Sequence, residues 1–234
     1  MKGKLYLIPS TIGETPVQNV IPQQVVEIIN NIKYYIVENE RTARRQLIKM
    51  GIKTLINQLE FFVLDEHTDK TRLDDFLKPC EEFDIGLLSE AGVPAVADPG
   101  SEIVALAHSK NIKVVPLVGP SSILLALMAS GLNGQCFAFQ GYLPVKGPER
   151  IKAIKNLESL SFSQKQTQIF IEAPYRNNQM LDDLIANCTP TTLICVACNL
   201  TTSSEFIKTL TPAGWKKHKP ELHKKPAIFL IQRV

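Results

Sequence analysis

The chain has 234 residues, a formal net charge of +3 and 44% apolar side chains, enough for one large core or two modest α/β lobes. Five cysteines, an odd number, and a start in which Met1-Lys-Gly-Lys4 leads straight into a short apolar run argue against a disulfide-built secreted domain and against a membrane span. A reduced, cytoplasmic protein is the expectation.

In chain order, Lys4–Ile8 reads as a strand, and Pro9-Ser-Thr-Ile-Gly-Glu14 turns out of it. Pro22 suits a helix start, and Val25, Val26, Ile28, Ile29 and Ile32 give that helix an apolar stripe. Tyr34–Val37 is a second strand and Arg41–Lys49 a helix. Phe61–Leu64 is a third strand, with a helix from about Asp69. Ile85–Ser89 is a fourth strand, and the loop after it, through Gly100, carries glycines, prolines and two carboxylates before the helical pattern Ile103–Ala107. Ile112–Leu117 is a fifth strand, and Ser121–Ser130 an apolar helix of small residues. Strands alternating with helices predict a mostly parallel, doubly wound sheet. The polar stretch Val145–Glu149 marks a change of pattern, so the lobes are expected at 1–143 and 144–234. The second lobe should hold helices Ile151–Leu160 and Gln179–Asn187. Its strands should be Gln168–Ile171, Leu193–Ala197, Glu205–Leu210 and Ala227–Gln232, in a mixed α+β sheet.

Familiar chemical signatures are missing. There is no phosphate loop, no G-x-G-x-x-G fingerprint and no G-x-S-x-G elbow. The histidines at 67, 108, 218 and 223 form no i, i+4 pair, so no metal is expected. Cys195 and Cys198 have C-x-x-C spacing, but on a strand an odd offset turns the thiols to opposite faces, and small buried hydrophobes are the simpler reading. What remains is a set of loops at strand ends: 9–14, 38–41, 65–68, 89–100 and 119–122. In a parallel sheet they share one edge, where ligands bind. Ser121 in Gly119-Pro-Ser-Ser122 is either a helix cap or a ligand group. Basic residues cluster twice, at Arg41, Arg44, Arg45, Lys49 and Lys53, and from Lys208 to Lys225. Such clusters suit either a solvated face or a polyanion such as RNA.

Taken together and in order, Leu5–Gly13, Leu88–Gly100, Val115–Ser122, Ser130–Leu132, Phe139–Pro144 and Ile171–Arg176 resemble the tetrapyrrole methylase-like (class III) family of S-adenosylmethionine-dependent methyltransferases. The last two segments are most similar to the branch that methylates a cytidine ribose 2′-hydroxyl in small-subunit ribosomal RNA. The resemblance implies two α/β lobes with S-adenosylmethionine in the cleft between them, and a homodimer. By position it implies cofactor contacts at Pro9, Leu88, Ser89, Glu90, Val93, Ser121 and Ser122. In the second lobe it implies contacts at Glu172, Ala173, Leu200, Pro226 and Ala227. Glu38 and Glu66 are candidate bases, and Arg41 and Arg176 candidate clamps for phosphate or substrate. The plainer readings are a strand-end salt bridge for Glu38 and Arg41 and a loop cap for Glu66.

The chain departs from the family at named places. Glu90 stands where an aspartate is usual, and Glu38-Asn39-Glu40-Arg41 replaces Glu-Asp-Thr-Arg. Gly13-Glu14-Thr15 replaces Gly-Asn-Leu, and Asn199-Leu-Thr-Thr202 replaces a basic segment. Two alternatives therefore stand beside the RNA reading: a methyltransferase for a small molecule such as a tetrapyrrole precursor, and a non-catalytic RNA- or ligand-binding protein on the same fold.

Overall fold

The computed structural model describes residues 2–65 and 67–234. They divide into two compact units, Met1–Ser121 and Ser122–Val234.

In the first unit, β1 (Lys4–Ile8), β2 (Tyr34–Val37), β3 (Glu60–Val63), β4 (Ile85–Leu88) and β5 (Lys113–Pro116) form a sheet in the order β3-β2-β4-β1-β5. Every pairing in it is parallel. Successive side chains alternate between two cores, as the two-residue period of a strand requires. Leu5, Ile36, Ile85 and Leu87 face one way, against α3 (Leu73–Leu77) and α4 (Gly100–Ser109). Ile8, Tyr35, Val37 and Leu88 face the other, against α1 (Gln23–Ile29) and α2 (Glu40–Lys49). Helices therefore cover both faces, and the doubly wound sheet expected from the sequence is present. At Gly86 a Cβ would lie 2.5 Å from Ile8 Cδ1 and 3.0 Å from the Tyr35 ring, so only glycine lets β1 and the Tyr35 ring close over β4.

The second unit holds a mixed five-stranded sheet in the order β6-β7-β10-β8-β9: β6 (Phe137–Tyr142), β7 (Thr167–Ile171), β8 (Thr192–Cys198), β9 (Phe206–Leu210) and β10 (Ala227–Arg233). β6 runs parallel to β7; β10 runs antiparallel to both β7 and β8. The helix α5 (Ser122–Ser130) packs on β8, β9 and β10, and Thr209 Oγ1 donates to the Ser130 carbonyl at 2.7 Å. Ile154 and Leu157 of α6 (Gly147–Gln164), Met180, Leu181 and Leu184 of α7 (Asn177–Asn187) and Trp215 of α8 (Pro212–Lys217) share a core with Phe170, Val196 and Phe229. Between α6 and α7, Arg150 pairs with Asp183 at 2.7 Å, and its Nη1 donates to the Val145 carbonyl.

The sequence places 122–143 with the first lobe, whereas α5 and β6 belong to the second sheet here. The polar stretch at 145–149 holds the end of the turn after β6 and the first residues of α6. Two further elements escape the sequence pattern. β6 is an edge strand half open to solvent, and α8 is under two turns long and buries only Pro212 and Trp215. Trp215 is fully buried, and its Nε1 donates to the Ile194 carbonyl at 2.9 Å.

Candidate active site

In the first unit, the loops after β1 and β4 leave adjacent strands toward opposite faces of the sheet, one to α1 and the other to α4. That divergence opens a crevice at the carboxyl edge of a parallel sheet. The structure stitches the two loops together there. Ser10 N–H donates to the Gly92 carbonyl at 2.8 Å, Gly92 N–H returns a bond to Ser10 at 3.2 Å, and Ser10 Oγ donates to the Ser89 carbonyl at 2.6 Å. The loop after β5 closes on the same place. A Cβ on Gly119 would sit 2.2 Å from Pro9 Cβ, and one on Gly92, whose φ is +76°, would sit 3.3 Å from the Pro120 carbonyl oxygen. Leu88 closes β4, and Pro9, Ser89 and Ser121 thus lie on three mutually packed loops. Ser122 opens α5 in the second unit. Gly119→Ala should cost about 1–3 kcal/mol, as overpacked sites do. It should also weaken S-adenosylmethionine binding, because Pro9 must move; calorimetry beside thermal melting reads both effects.

The loop after β4 is held by a carboxylate that the sequence reading passed over. Asp98 Oδ1 accepts from Ala95 N–H and Gly100 N–H, each at 2.8 Å. Those bonds fix Ala95 (φ 64°) and Ala97 (φ 61°) in left-handed conformations that alanine rarely adopts. Burial pushes the Asp98 carboxyl above the usual range, against the Gly100 and Ala95 amides and the Ser89 hydroxyl. Its position just ahead of a helix start was the signal available in the sequence.

Glu38 directly follows β2 at this edge and is half-buried. Burial raises its carboxyl pKa first, and the negative charge of Asp98 raises it further. The Glu90 backbone N–H pulls it down, and the Glu90 carboxylate pushes it up again. Glu90 itself is exposed, and Val93 is half-buried. Glu66 lies outside the described residues.

The altered acids next to Glu38 have local work. Asn39 caps α2, its side chain accepting from Thr42 N–H at 3.0 Å, a role asparagine fills as well as aspartate. Glu40 pairs with Arg44 at 2.6 Å, one helical turn on, and the Arg44 guanidinium lies 4.8 Å from the Phe61 ring centroid. Arg41 and Arg45 are exposed and pair with no acidic side chain among the described residues.

In the second unit, β7 and β8 end, and β10 begins, at one edge of the sheet, because β10 is antiparallel to both. Three loops join there. Asn199 N–H donates to the Pro226 carbonyl at 3.0 Å, Lys224 N–H to the Pro174 carbonyl at 2.9 Å, and Asn177 Nδ2 to the Lys225 carbonyl at 2.6 Å. The register thus brings Glu172, Ala173, Leu200, Pro226 and Ala227 to one place. Arg176 pairs with Glu172 at 2.6 Å and also reaches the Tyr175 hydroxyl at 2.6 Å; the Glu172 carboxylate holds its guanidinium more firmly protonated. The Glu172 side chain is only 1% exposed.

Buried polar atoms without a partner collect at this edge. Among the described residues they include Glu172 Oε2, Arg176 Nε, Asn177 Oδ1 and Thr201 Oγ1. Each costs stability unless something supplies the missing bond. Among the described residues no three histidine, cysteine, aspartate or glutamate side chains group as a metal site, and no helix is long and apolar enough to cross a membrane. Burial pushes the Cys188 thiol up to about 12 and the Cys80 thiol up to about 11, so both are inert packing groups.

The chain is 29% identical over 236 residues to a ribosomal RNA small subunit methyltransferase I of Escherichia coli O157:H7, covering 99% of this chain and 78% of that protein. It is 31% identical over 182 residues to the protein of the same name from Vibrio cholerae, covering 77% of this chain and 59% of that protein. Among solved structures, the methyltransferase CobJ matches with a TM-score of 0.65 at 16% identity, covering 99% of this chain and 95% of that one. The cobalt precorrin-4 methyltransferase CbiF matches with a TM-score of 0.61 at 15% identity, over 98% and 94%. At such identities the two structures speak for the fold alone. No family model matches the chain.

Proposed function

Since the chain belongs to the tetrapyrrole methylase-like family of S-adenosylmethionine-dependent methyltransferases, we propose that it methylates a ribose 2′-hydroxyl, that of a cytidine, in small-subunit ribosomal RNA. The observation that carries the chemistry is Glu38, a carboxylate raised by burial and by Asp98 at the ligand-binding edge of the first sheet. A ribose hydroxyl is a weak nucleophile, and a base within hydrogen-bond reach removes its proton as the new bond forms. A carboxylate with a raised pKa is a stronger base than an ordinary one.

The chain's residues suit the cofactor the family uses. In the second unit, Glu172 Oε2 and Thr201 Oγ1 are buried and lack partners, which suits a ligand rich in hydroxyl, amino and amide-like groups. Ala173 and Leu200 lie on the loops joined at the same edge, where Ala227 begins β10 and the exposed Pro226 accepts from Asn199 N–H. In the first unit, the loops of Pro9, Leu88, Ser89, Glu90, Val93 and Ser121, followed by Ser122, present backbone groups with few long side chains in the way. When bound, S-adenosylmethionine supplies an electrophilic methyl group on a sulfonium. Alignment of donor and acceptor, with no metal, accounts for much of the rate. Arg41, three residues beyond Glu38 and exposed, is placed for a substrate phosphate. Arg176, engaged by Glu172, orients that carboxylate rather than clamping RNA.

A homodimer working in the cytoplasm belongs to the same proposal. Met128 and Leu124, one turn apart on α5 and 79% and 50% exposed, offer apolar surface to a second copy. The test is transfer of labelled methyl from S-adenosylmethionine to small ribosomal subunits, with a tetrapyrrole precursor as the competing acceptor. Label is expected in the RNA alone. Label only in the tetrapyrrole, or none with S-adenosylmethionine binding absent by calorimetry, would overturn the reading.

A further inference from the structure

The basic cluster near the C-terminus has no part in the chemistry above, yet the fold displays it in an ordered way. From Phe206 to Ala227 the chain carries six lysines and two histidines against one glutamate. Trp215, fully buried and hydrogen-bonded to Ile194, locks α8 to the sheet. The four residues that follow it, Lys216, Lys217, His218 and Lys219, are all exposed. A run of charge on a floppy tail would lose much of its attraction to ordering; here the backbone is already fixed.

The neutralisation is partial. Lys219 pairs with Asp182 at 2.5 Å, and Lys225 Nζ donates to the Glu221 carbonyl at 2.8 Å. Among the described residues, Lys216, Lys217 and Lys224 pair with no acidic side chain. The strip also leads somewhere. Lys224 N–H bonds to Pro174, and the Lys225 carbonyl accepts from Asn177, so its far end is joined to the loop that carries Glu172 and Arg176.

We propose that the strip from Lys216 to Lys225 docks the sugar-phosphate backbone of the RNA substrate and leads it to the Glu172–Arg176 edge. This rests on the ribosomal RNA reading above. Lysines suit such docking, since each is a compact charge on a flexible stem that follows phosphates without reading sequence. Neutralised phosphates release counterions, so affinity falls with salt by about 0.7 logarithmic units per contact for a single strand.

The test compares K216E/K217E with wild type, using small ribosomal subunits for turnover and a single-stranded ribo-oligonucleotide for binding. Both side chains are exposed, so the fold should stand, and circular dichroism checks it. RNA affinity should fall on the order of tenfold at about 0.1 M salt, and the salt slope should shrink by about 1.4. KM for the subunit should rise, while kcat and S-adenosylmethionine affinity stay level, and K216R/K217R should behave as wild type. K152E/K155E removes the same charge from exposed positions on α6 and should change little. An unchanged KM and salt slope in K216E/K217E, beside a wild type that binds and methylates RNA, would overturn the strip alone. An equal loss in K152E/K155E would also overturn it, by showing that net charge suffices. A wild type that neither binds nor methylates RNA would overturn both the strip and the reading beneath it.

Discussion

Glu38→Gln should lower methyl transfer roughly a hundred- to ten-thousand-fold, the range a positioned base contributes, with S-adenosylmethionine affinity unchanged. The amide keeps the shape and can still accept from the Glu90 N–H, but it cannot take a proton. The pH profile sharpens the test. Wild-type activity should rise with pH through a carboxyl pKa set above the ordinary glutamate value, since burial, then Asp98, holds the proton on. Asp98→Asn keeps an oxygen for the Ala95 and Gly100 amides but removes a charge facing Glu38, so the acid limb should move to lower pH. Folding shows the opposite side of the same shift. A carboxyl whose folded pKa is raised favours the folded state at low pH and loses that contribution as pH rises through the folded value. Glu38→Gln should therefore raise the melting temperature at neutral pH while silencing the enzyme. A variant with full turnover and an unshifted acid limb would remove Glu38 from the mechanism.

Arg176→Ala should destabilise the protein by about 2–4 kcal/mol, because it leaves a buried carboxylate without its partner. The Glu172 side chain is 1% exposed and Arg176 24%, so the loss should fall below that of a fully buried pair. S-adenosylmethionine affinity should drop as well, since Glu172 Oε1 is held between Arg176 and the Ala173 N–H, at 2.6 and 2.7 Å, with Oε2 left to a ligand. Glu172→Gln separates the two effects: the neutral side chain keeps an oxygen for Arg176, so it should cost less stability yet still weaken cofactor binding. Denaturant melts and calorimetry read them apart. A loss within about 0.5 kcal/mol for Arg176→Ala would mean the pair is screened like a surface one.

Much of this was legible locally. The apolar runs Lys4–Ile8, Tyr34–Val37 and Ile85–Leu88 marked the first sheet, because strands buried on both faces are nearly continuous in apolar residues. The carboxyl-edge loops followed from parallel order alone. What escaped depends on pairings between distant residues. The Ser10–Gly92 bridge and the touch of Gly119 on Pro9 have no local signal. Asp98 was visible as a carboxylate before a helix, but its hold on Ala95 and its charge facing Glu38 appear only in three dimensions. Asn39 and Glu40 looked like altered substrate groups; the structure gives them a helix cap and a turn-to-turn ion pair. Arg176 reads as a substrate clamp in the sequence; its pairing with Glu172 appears only in three dimensions.

Mapping of ribose methylation in small-subunit ribosomal RNA, by mass spectrometry of RNA from cells with and without the gene, tests the central claim most directly. One 2′-O-methylated cytidine should vanish without the gene, return with the wild-type chain and stay absent with Glu38→Gln. Identical ribose methylation in the two strains would contradict the account.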